Sequence, residues 1–522
     1  MERRVVIIGA GISGLLACKY SVEKGFDPVV FEAEDRIGGV WNHTIRSTKL
    51  QNVKDGFRFS DFDWPASVQE IFPSHTEVLD YVESYAQHFN LYPYIKFHSR
   101  VINIDFVGES FEEMKTWDLW GGTGMAFGSK GKWHITVLDT ETNATEIHQA
   151  EFVILCIGRF SGLPNIPELP PTYCSKVFDG KVMHSMEYSD MEKSAAAELI
   201  KGKRITIVGS QKSAVDLAVE CAEANGVKYP CVMIQRNPHW LLPGNGFLIS
   251  HFGHLYFNRF AELRLHKPGQ NILYWLLATV LSPLRWGISK FSEIYLQWKL
   301  PLKKYGIVPR HSFLEDMSSC QIGMLPDNFY DKVEEGSILI KRSQSFRFCR
   351  EGLIVGGEDK PISSDLVILA TGYKGDQKLK NIFTSSVFQK YLVPSPTSTI
   401  PLYRQVIHPR IPQLAVIGYT EGLANLPSFE IRCQWLTNLL DGNIKLPSIG
   451  AMEKDTARWE SHMKQYGRRN FWRSCVGTTN IWYNDQLCKD MNCNPRRKKG
   501  CLAEWFQPYG PADYAGLADQ KR

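Results

Sequence analysis

The feature that most constrains the fold of this chain is a glycine-rich turn between a buried strand and a helix near the N-terminus. The apolar run VVII at 5–8 leads into GAGISG at 9–14, and an apolar helical segment follows. Gly9 permits the tight turn, Gly11 lets the backbone approach a pyrophosphate, and Gly14 lets helix and strand pack closely. The helix N-terminus then stabilises the phosphate charge. The unit therefore predicts a βαβ dinucleotide-binding fold of the α/β class.

A carboxylate at the end of the second strand selects the dinucleotide of this first unit. Glu32 follows PVVF at 28–31 and lies 18 residues after Gly14. A carboxylate there accepts a hydrogen bond from a ribose 2′-OH and repels a 2′-phosphate, so the unit is predicted to bind FAD or NAD and not NADP. The next segment, EDRIGGVW, carries a second glycine pair that resembles the flavoprotein pattern and favours FAD. Its residues expected beside the cofactor are Gly39, Val40 and Trp41.

A second strand, turn and helix unit lies about 200 residues further along the chain, in ITIVG at 205–209 and the helical VDLAVECAEA. Its turn keeps only the first glycine, and Gln211 in the middle position is expected to hold the backbone further from a pyrophosphate. Arg236 stands where the first unit has Glu32, and a guanidinium there favours a 2′-phosphate, so this unit is predicted to bind NADPH. A surface arginine without a ligand is the alternative. The candidate residues are Gly209, Ser210, Lys212, Ser213 and Arg236.

Two strand-end segments resemble those that mark, in flavoproteins with two dinucleotide sites, where the chain passes between the nucleotide-binding domains. They are LCIG at 155–158 and LATGY at 369–373, and the second contributes Thr371 and Gly372 as cofactor-binding candidates. The sequence thus predicts two Rossmann-like domains. We expect an FAD-binding domain at 1–165 plus 325–522 and an NADPH-binding domain at 166–324, with a helical insertion at about 243–306.

Composition excludes several other classes of protein. A net charge of +5 over 522 residues gives no indication of a nucleic-acid partner. The 12 cysteines form no CxxC pair, which argues against a zinc site and against a pyridine-nucleotide disulfide reductase. We therefore expect reduced thiols and a cytoplasmic protein. The apolar run at 272–286 is too short to span a bilayer and contains Pro283 and Arg285, so it predicts a buried or interfacial helix pair with peripheral contact to the endoplasmic reticulum surface as an option.

The stretch FDGKVMHSMEY at 178–188 lies between the two units and resembles the FxGxxxHxxxY sequence of flavin-containing monooxygenases and related Baeyer-Villiger enzymes. Its motif positions are Phe178, Gly180, His184 and Tyr188. An ordinary packed His and Tyr pair is the structural alternative. Because the stretch follows an FAD-type unit and precedes an NADPH-type unit, chance is a poor explanation for the match.

The resemblance extends over nearly the whole chain and is most like the plant branch of this family that includes pipecolate N-hydroxylase. The matching segments are IIGAGISGL, EDRIGGVW, TKLQ, FSDFDWP, HFNL, KVFDGKVMHSMEY, QKSAVDLA, WKLPLKKYG, VILATGY and NLPSFEIRCQW. Other members carry an asparagine near the flavin upstream of a similar FSDF, and the corresponding position here is Gln51, with Asn52 beside it. The resemblance implies that one of these amides is the catalytic hydrogen-bond donor.

The same resemblance implies a reaction. NADPH reduces the flavin, O2 adds to give a C4a-hydroperoxyflavin, and its distal oxygen passes to a soft nucleophile. We expect N-hydroxylation of a small amine or amino acid, with L-pipecolate the leading substrate and, from the branch, a role in plant defence. The alternatives are S-oxygenation of a thioether, release of H2O2 as an NADPH oxidase, an amine oxidase, and a non-catalytic FAD-fold protein of the prenyl-GTPase escort type.

Overall fold

Two parallel five-stranded sheets form the centre of the computed structural model, which describes residues 3–244, 253–393, 395 and 398–517. The first sheet contains, in spatial order, Leu414–Val416 (β18), Phe152–Leu155 (β7), Val5–Ile8 (β1), Pro28–Phe31 (β2) and Ile95–Lys96 (β3). The second contains Ile338–Arg342 (β13), Cys231–Gln235 (β10), Ile205–Val208 (β9), Leu366–Leu369 (β17) and Lys181–His184 (β8). All pairings in both sheets are parallel. Their strands are continuous apolar runs because helices and loops cover both faces.

Each sheet has the same local design around its glycine turn. Helix α1 (Ile12–Glu23) follows β1 and packs beside it, and helix α6 (Lys212–Asn225) follows β9 in the same way. Each unit also carries a three-stranded antiparallel sheet. One is formed by β4 (Ser99–Val107), β5 (Lys132–Asp139) and β6 (Thr145–Ala150), and the other by β14 (Phe346–Cys349), β15 (Gly352–Val355) and β16 (Ile362–Ser363). The predicted pair of Rossmann-like folds is therefore confirmed.

The remaining helices cover the sheets and build the C-terminal part. They are α2 (His75–His88), α3 (Phe111–Thr116), α4 (Ser185–Ser189), α5 (Lys193–Ile200), α7 (Arg259–Leu263), α8 (Ile272–Val280), α9 (Ser282–Lys299), α10 (Phe313–Ser318), α11 (Phe329–Glu334), α12 (Gly375–Asn381), α13 (Ser386–Leu392), α14 (Asn425–Leu440), α15 (Ile449–Gly467), α16 (Asn480–Asp490) and α17 (Cys501–Phe506). A short parallel pair, β11 (Leu241–Leu242) and β12 (Gly323–Met324), completes the strands.

Strand pairing differs from the expected domain boundary at 324/325. Both β13 and β17 pair with the second sheet, although the expectation placed everything after 324 in the first domain. After β7, the next strand along the chain that belongs to the first sheet is β18. Sequence order gave no reason to assign 338–369 to the second unit, because pairing between strands so distant along the chain is decided in three dimensions.

The predicted helical insertion contains α7, α8 and α9, while its residues 245–252 lie outside the described part of the chain. The apolar run at 272–286 is not buried, since most of its large side chains are exposed. Among the described helices none alone is long and apolar enough to cross a bilayer, but α8 and α9, bent by 47° at their junction, meet that test of length and composition together.

One expectation about cysteine is wrong. Cys320 and Cys475 form a disulfide that closes 155 residues of sequence, whereas reduced thiols were expected throughout. The pair joins the turn after α10 to the segment before α16. Spacing alone does not reveal such a pair, because the two cysteines become neighbours only when the C-terminal segment folds against the second domain.

Candidate functional site

The first glycine turn has the backbone that its sequence predicts. Gly9 has a φ of +101°, and a Cβ on Gly14 would lie 1.8 Å from the carbonyl oxygen of Gly9. A Cβ on Gly11 would lie 3.6 Å from the Cα atom of Gly39, so the two glycine pairs face each other. No side chain caps the N-terminus of α1 at Gly11. The first amides of this 12-residue helix are thus left for an anion, as a pyrophosphate requires.

Glu32 lies at the end of β2 with its carboxylate over the same turn. It accepts hydrogen bonds from the amides of Ala10 at 2.6 Å and Glu34 at 3.1 Å. Burial raises the pKa of Glu32, while these amide hydrogen bonds oppose that rise. The side chain is held in one orientation beside the turn, and its remaining lone pairs suit a ribose hydroxyl. The donor set of the first unit therefore fits FAD.

The EDRIGGVW segment closes over this turn. The Gly38 amide donates to the Ala10 carbonyl at 3.2 Å. The next three residues lie in a short 3₁₀ helix that begins at Gly39. Val40 is exposed toward the interdomain cleft, and the Trp41 ring packs against Phe57 with ring centroids 5.9 Å apart. Gly39 thus lies against the turn at Gly11, and Val40 and Trp41 follow it in the same 3₁₀ helix; their contact with a cofactor stays a prediction.

The second turn departs from the glycine pattern in a way that has structural consequences. A Cβ on Gly209 would lie 2.4 Å from the Ala370 carbonyl oxygen, so this glycine is needed for close packing against β17. The side chain of Gln211 donates to Gln321. The Lys212 ammonium lies 2.7 Å from the carboxylate of buried Asp216, which compensates much of its charge. Ser210 and Ser213 line the cleft beside them.

Arg236 is exposed at the end of β10 and lines the same cleft. The loop that follows β13 lies next to it, because Gln344 donates from its side-chain amide to the Arg236 carbonyl at 3.0 Å. Ser343 and Ser345 of this loop also line the cleft. A guanidinium beside hydroxyl and amide donors is the arrangement that a 2′-phosphate needs. The second unit fits NADPH.

A cleft of about 1760 Å³ runs between the two domains and contains half of the predicted residues in its lining. Its volume exceeds the roughly 300–1,000 Å³ of an ordinary small-ligand pocket, which leaves space for a dinucleotide and a substrate together. Its described lining contains Gln51, Asn52 and Val40, together with the second turn, Arg236, Thr371 and Gly372. The first glycine turn and Glu32 do not contribute to that lining.

The two candidate amides are held differently in the cleft. Gln51 accepts from the Met324 amide through its side-chain oxygen at 3.2 Å. Asn52 donates from its amide nitrogen to the Leu423 carbonyl. Gln51 therefore keeps its N–H donors, whereas Asn52 has already used one. Both residues lie where the first domain meets the second.

Thr371 and Gly372 form the crossing between the domains. The Thr371 hydroxyl donates to the Asn165 carbonyl at 2.5 Å, and the Asn165 amide donates to the Gly372 carbonyl at 2.8 Å. The predicted crossing segment at 369–373 is thus hydrogen-bonded to Asn165, in the connection that follows the other predicted segment at 155–158. Gly372 has a φ of +80°, in the region that favours glycine.

Comparison with known proteins decides the family. Residues 2–502 match the family model described as flavin-binding monooxygenase-like. The chain is 41% identical over 516 residues to probable flavin-containing monooxygenase 1 of Arabidopsis thaliana, covering 98% of this chain and 96% of that protein. It is 39% identical over 495 residues to putative flavin-containing monooxygenase 2 of the same plant, covering 94% and 98%. The chain belongs to the flavin-containing monooxygenase family.

Solved structures agree with this family fold. The OTEMO complex with FAD and NADP has a TM-score of 0.65 at 16% identity, with 94% of this chain and 98% of that chain covered. The S-allyl-L-cysteine S-oxygenase from Allium sativum has a TM-score of 0.59 at 17% identity, with 99% and 92% covered. The predicted enzyme class, an FAD-containing and NADPH-dependent monooxygenase, is confirmed by the family membership. The pipecolate branch stays a prediction.

The motif residues of this flavin-containing monooxygenase shape the edge of the second sheet. A Cβ on Gly180 would lie 2.4 Å from the Phe178 ring and 2.6 Å from the Asp365 carbonyl oxygen, so glycine is required there. Buried His184 ends β8 and caps α4 by accepting from the Met186 amide at 3.1 Å. The buried Tyr188 hydroxyl donates to Glu220 at 2.9 Å. None of the four motif residues is part of the described cleft lining. Their contacts join β8, α4 and α6 of the second unit.

Charged residues that the sequence analysis missed line the flavin-containing monooxygenase cleft. Arg159 lies 3.0 Å from Asp376, and Arg473 forms an ion pair with Glu421 at 2.5 Å. These residues come from distant segments with no local pattern. The sequence indicates only one of them indirectly, because Arg159 directly follows the predicted crossing at 155–158.

Proposed function

We propose that this flavin-containing monooxygenase N-hydroxylates a small amine or amino acid, with L-pipecolate the leading candidate. The observation that carries this proposal is the presence of both charges in the cleft. Glu421 and Asp376 line it together with Arg159 and Arg473, and exposed Arg469 lines it without an ion pair to any described residue. A zwitterionic substrate suits such a lining better than a neutral thioether does.

The overall reaction consumes a secondary amine, O2, NADPH and a proton, and yields the hydroxylamine, water and NADP⁺. Bound FAD supplies the activation of O2 and the oxygen transfer once NADPH has reduced it. The protein must hold the two dinucleotides and exclude water. Glu32 and Arg236 would hold the ribose groups of different dinucleotides, and the hydrogen bond from Thr371 to Asn165 joins the two segments of chain beside the cleft.

Among the two candidate amides the contacts favour Gln51 as the hydrogen-bond donor to the reacting oxygen. Its oxygen is engaged by the Met324 amide, so its NH2 group is directed elsewhere. We expect Gln51→Leu to divert NADPH consumption toward H2O2, because losing one such donor costs about 1–3 kcal/mol. Asn52→Leu serves as the matched variant and is expected to change the ratio less. A larger effect of Asn52→Leu would reverse the assignment.

The assay that tests the proposed function follows NADPH oxidation and H2O2 release by the purified protein with amines, amino acids and thioethers. Hydroxylamine formation coupled to NADPH with pipecolate or another amino acid supports the proposal. Coupled turnover with thioethers alone would replace it with S-oxygenation. Peroxide release with every compound would leave an NADPH oxidase.

We also propose that the protein lies against a membrane surface through α8 and α9. Trp275, Trp286 and Trp298 are 46%, 65% and 78% exposed there. The single acidic residue of these two helices, Glu293, is only 5% exposed, so the outer face combines apolar and basic groups as an anionic interface requires.

Sedimentation with phosphatidylserine vesicles tests this location. Wild-type protein is expected to sediment with the vesicles, and Trp286→Glu combined with Trp298→Glu is expected to stay in the supernatant. Leu502→Glu is the control, because Leu502 is 77% exposed outside these helices. Equal sedimentation of all three proteins would contradict a lipid surface as the partner. So would a wild-type protein that forms dimers when the double variant does not.

A further inference from the structure

Three side chains of types that can bind a metal meet in the wall of the cleft, apart from the residues assigned above to the cofactors and the substrate. His239 follows β10, His311 precedes α10, and Asp316 lies within α10. Nδ1 of His239 lies 3.2 Å from Oδ1 of Asp316, and Nε2 of His311 lies 2.8 Å from the same oxygen. All three donor atoms lie within 4.8 Å of one another. They come from segments up to 77 residues apart, so only the fold brings them together.

The carboxylate is fixed before any cation binds. Asp316 is fully buried, and its Oδ2 accepts from the backbone amide of Trp240 at 2.8 Å. The indole of Trp240 donates to the carbonyl of His311 at 3.0 Å, which holds the second imidazole in place. Oδ1 is thereby left facing the two histidines. Outer contacts of this kind orient ligands in metal sites.

The ring nitrogens of His239 and His311 lie as close to Asp316 as ligand atoms lie to one another in a metal site. However, the three side chains do not form a complete hydrogen-bond network. Nε2 of His311 is buried, and although it lies close to Oδ1 of Asp316, it makes no hydrogen bond of acceptable geometry with any described residue. A buried ring nitrogen without a partner costs free energy. A cation between the three donors would satisfy that nitrogen and neutralise the buried carboxylate.

We propose that His239, His311 and Asp316 bind one divalent transition-metal ion of the zinc type. Two imidazoles and a carboxylate are ligands that Zn²⁺ accepts, at about 2.0–2.2 Å each, which sets tetrahedral donor separations near 3.3 Å. The separation of Oδ1 from His239 matches this value, that from His311 is about 0.5 Å shorter, and the two ring nitrogens lie within 4.8 Å of each other. Since both histidines also line the cleft, the fourth position faces it and takes water or an anionic group. The inference does not depend on the proposed substrate.

Calorimetric titration of the flavin-loaded, EDTA-dialysed protein with Zn²⁺ alone tests the site. One equivalent is expected to bind, with metal analysis after gel filtration giving the same stoichiometry and Zn²⁺ raising the Tm. His311→Ala and, separately, His239→Ala are expected to weaken binding at least about 10- to 100-fold, the range for losing an outer contact alone. His148→Ala is the matched control. His148 also lies near a carboxylate, 3.3 Å from Glu146, but among the described residues no third metal-binding side chain joins this pair.

Bound flavin and the far-UV spectrum show whether each variant has folded. If a histidine variant does not fold, the wild-type titration still decides the matter. Zinc binding by the wild type that both folded variants retain would place the metal elsewhere and overturn the assignment. If the wild-type protein bound no Zn²⁺, the proposal would be wrong, and the three side chains would share a proton instead of a metal ion.

Discussion

Glu32 and Arg236 stand at equivalent strand ends in the two units, and their opposite charges predict that the two units bind different ribose substituents. We expect Arg236→Ala to raise the KM for NADPH about 10- to 100-fold, because a hydrogen bond to a charged group contributes about 1.5–3 kcal/mol. The KM for NADH, which has no 2′-phosphate, is expected to change little. Steady-state kinetics with both nucleotides measures the difference.

Arg350→Ala is the control for that substitution. Arg350 is exposed on the turn between β14 and β15, outside the cleft, so its loss is expected to leave both KM values unchanged. An equal rise for NADPH and NADH in the Arg236 variant would show that the guanidinium does not recognise the phosphate.

Arg469 gives a second prediction at the scale of one side chain. Because it lines the cleft without a described ion pair, we expect Arg469→Ala to raise the KM for amino acids about tenfold while neutral amines are unaffected. Its neighbour Arg468 is exposed and lies 3.8 Å from Glu315, outside the cleft lining, and Arg468→Ala is the control. A uniform change for both substrate classes would mean that Arg469 does not bind a carboxylate.

At the scale of elements, the contact between α1 and the turn after β1 permits only glycine at position 14. A Cβ on Gly14 would lie 1.8 Å from the Gly9 oxygen, so Gly14→Ala must displace the helix from the strand. We expect a loss of about 3 kcal/mol or more in the free energy of unfolding and little bound flavin. Chemical denaturation and the flavin-to-protein absorbance ratio measure both effects.

The matched substitution is Gly450→Ala near the start of α15. Nothing lies within 4 Å of a Cβ at Gly450, so the change is expected to alter stability by no more than about 1 kcal/mol and to leave flavin binding intact. A Gly14→Ala protein with full flavin content would show that α1 and β1 can separate without cost to the site.

At the scale of the whole molecule, His43 joins the two domains. Its ring nitrogens lie 2.5 Å from Glu34 in the first domain and 2.6 Å from Asp190 at the end of α4 in the second. The hydrogen bond to Glu34 and, more weakly, the contact with Asp190 raise the pKa of His43 to about 9. The charged imidazolium therefore stabilises the contact between the domains.

The sign of the pH dependence follows from the raised pKa. The contribution of His43 is complete below its ordinary pKa of about 6.5 and is lost as the pH rises through about 9. We expect His43→Ala to lower the Tm at pH 6 and to match wild type above pH 9.5. Thermal unfolding at a series of pH values measures this, and a Tm difference independent of pH would mean that packing and not charge accounts for the effect.

The sequence by itself determined the two glycine turns, the strands and helices around them and the charge at each second strand end. These features are local, because a glycine spacing and an apolar run act within one strand, turn and helix. They were enough to predict the fold class, whereas the enzyme family was predicted from the resemblance of the stretch at 178–188 and of further segments along the chain. The strand VVII and its partner PVVF, for example, are in the structure as their residues predicted.

Only the tertiary structure decided which segments share a sheet, which thiols are joined and which side chains form the cleft. Strand β13 returns to the second sheet, Cys320 pairs with Cys475, and Asp316 meets His239, all through contacts between distant parts of the chain. The physical reason is that these contacts depend on how packed layers are placed, and no spacing along one segment encodes that placement.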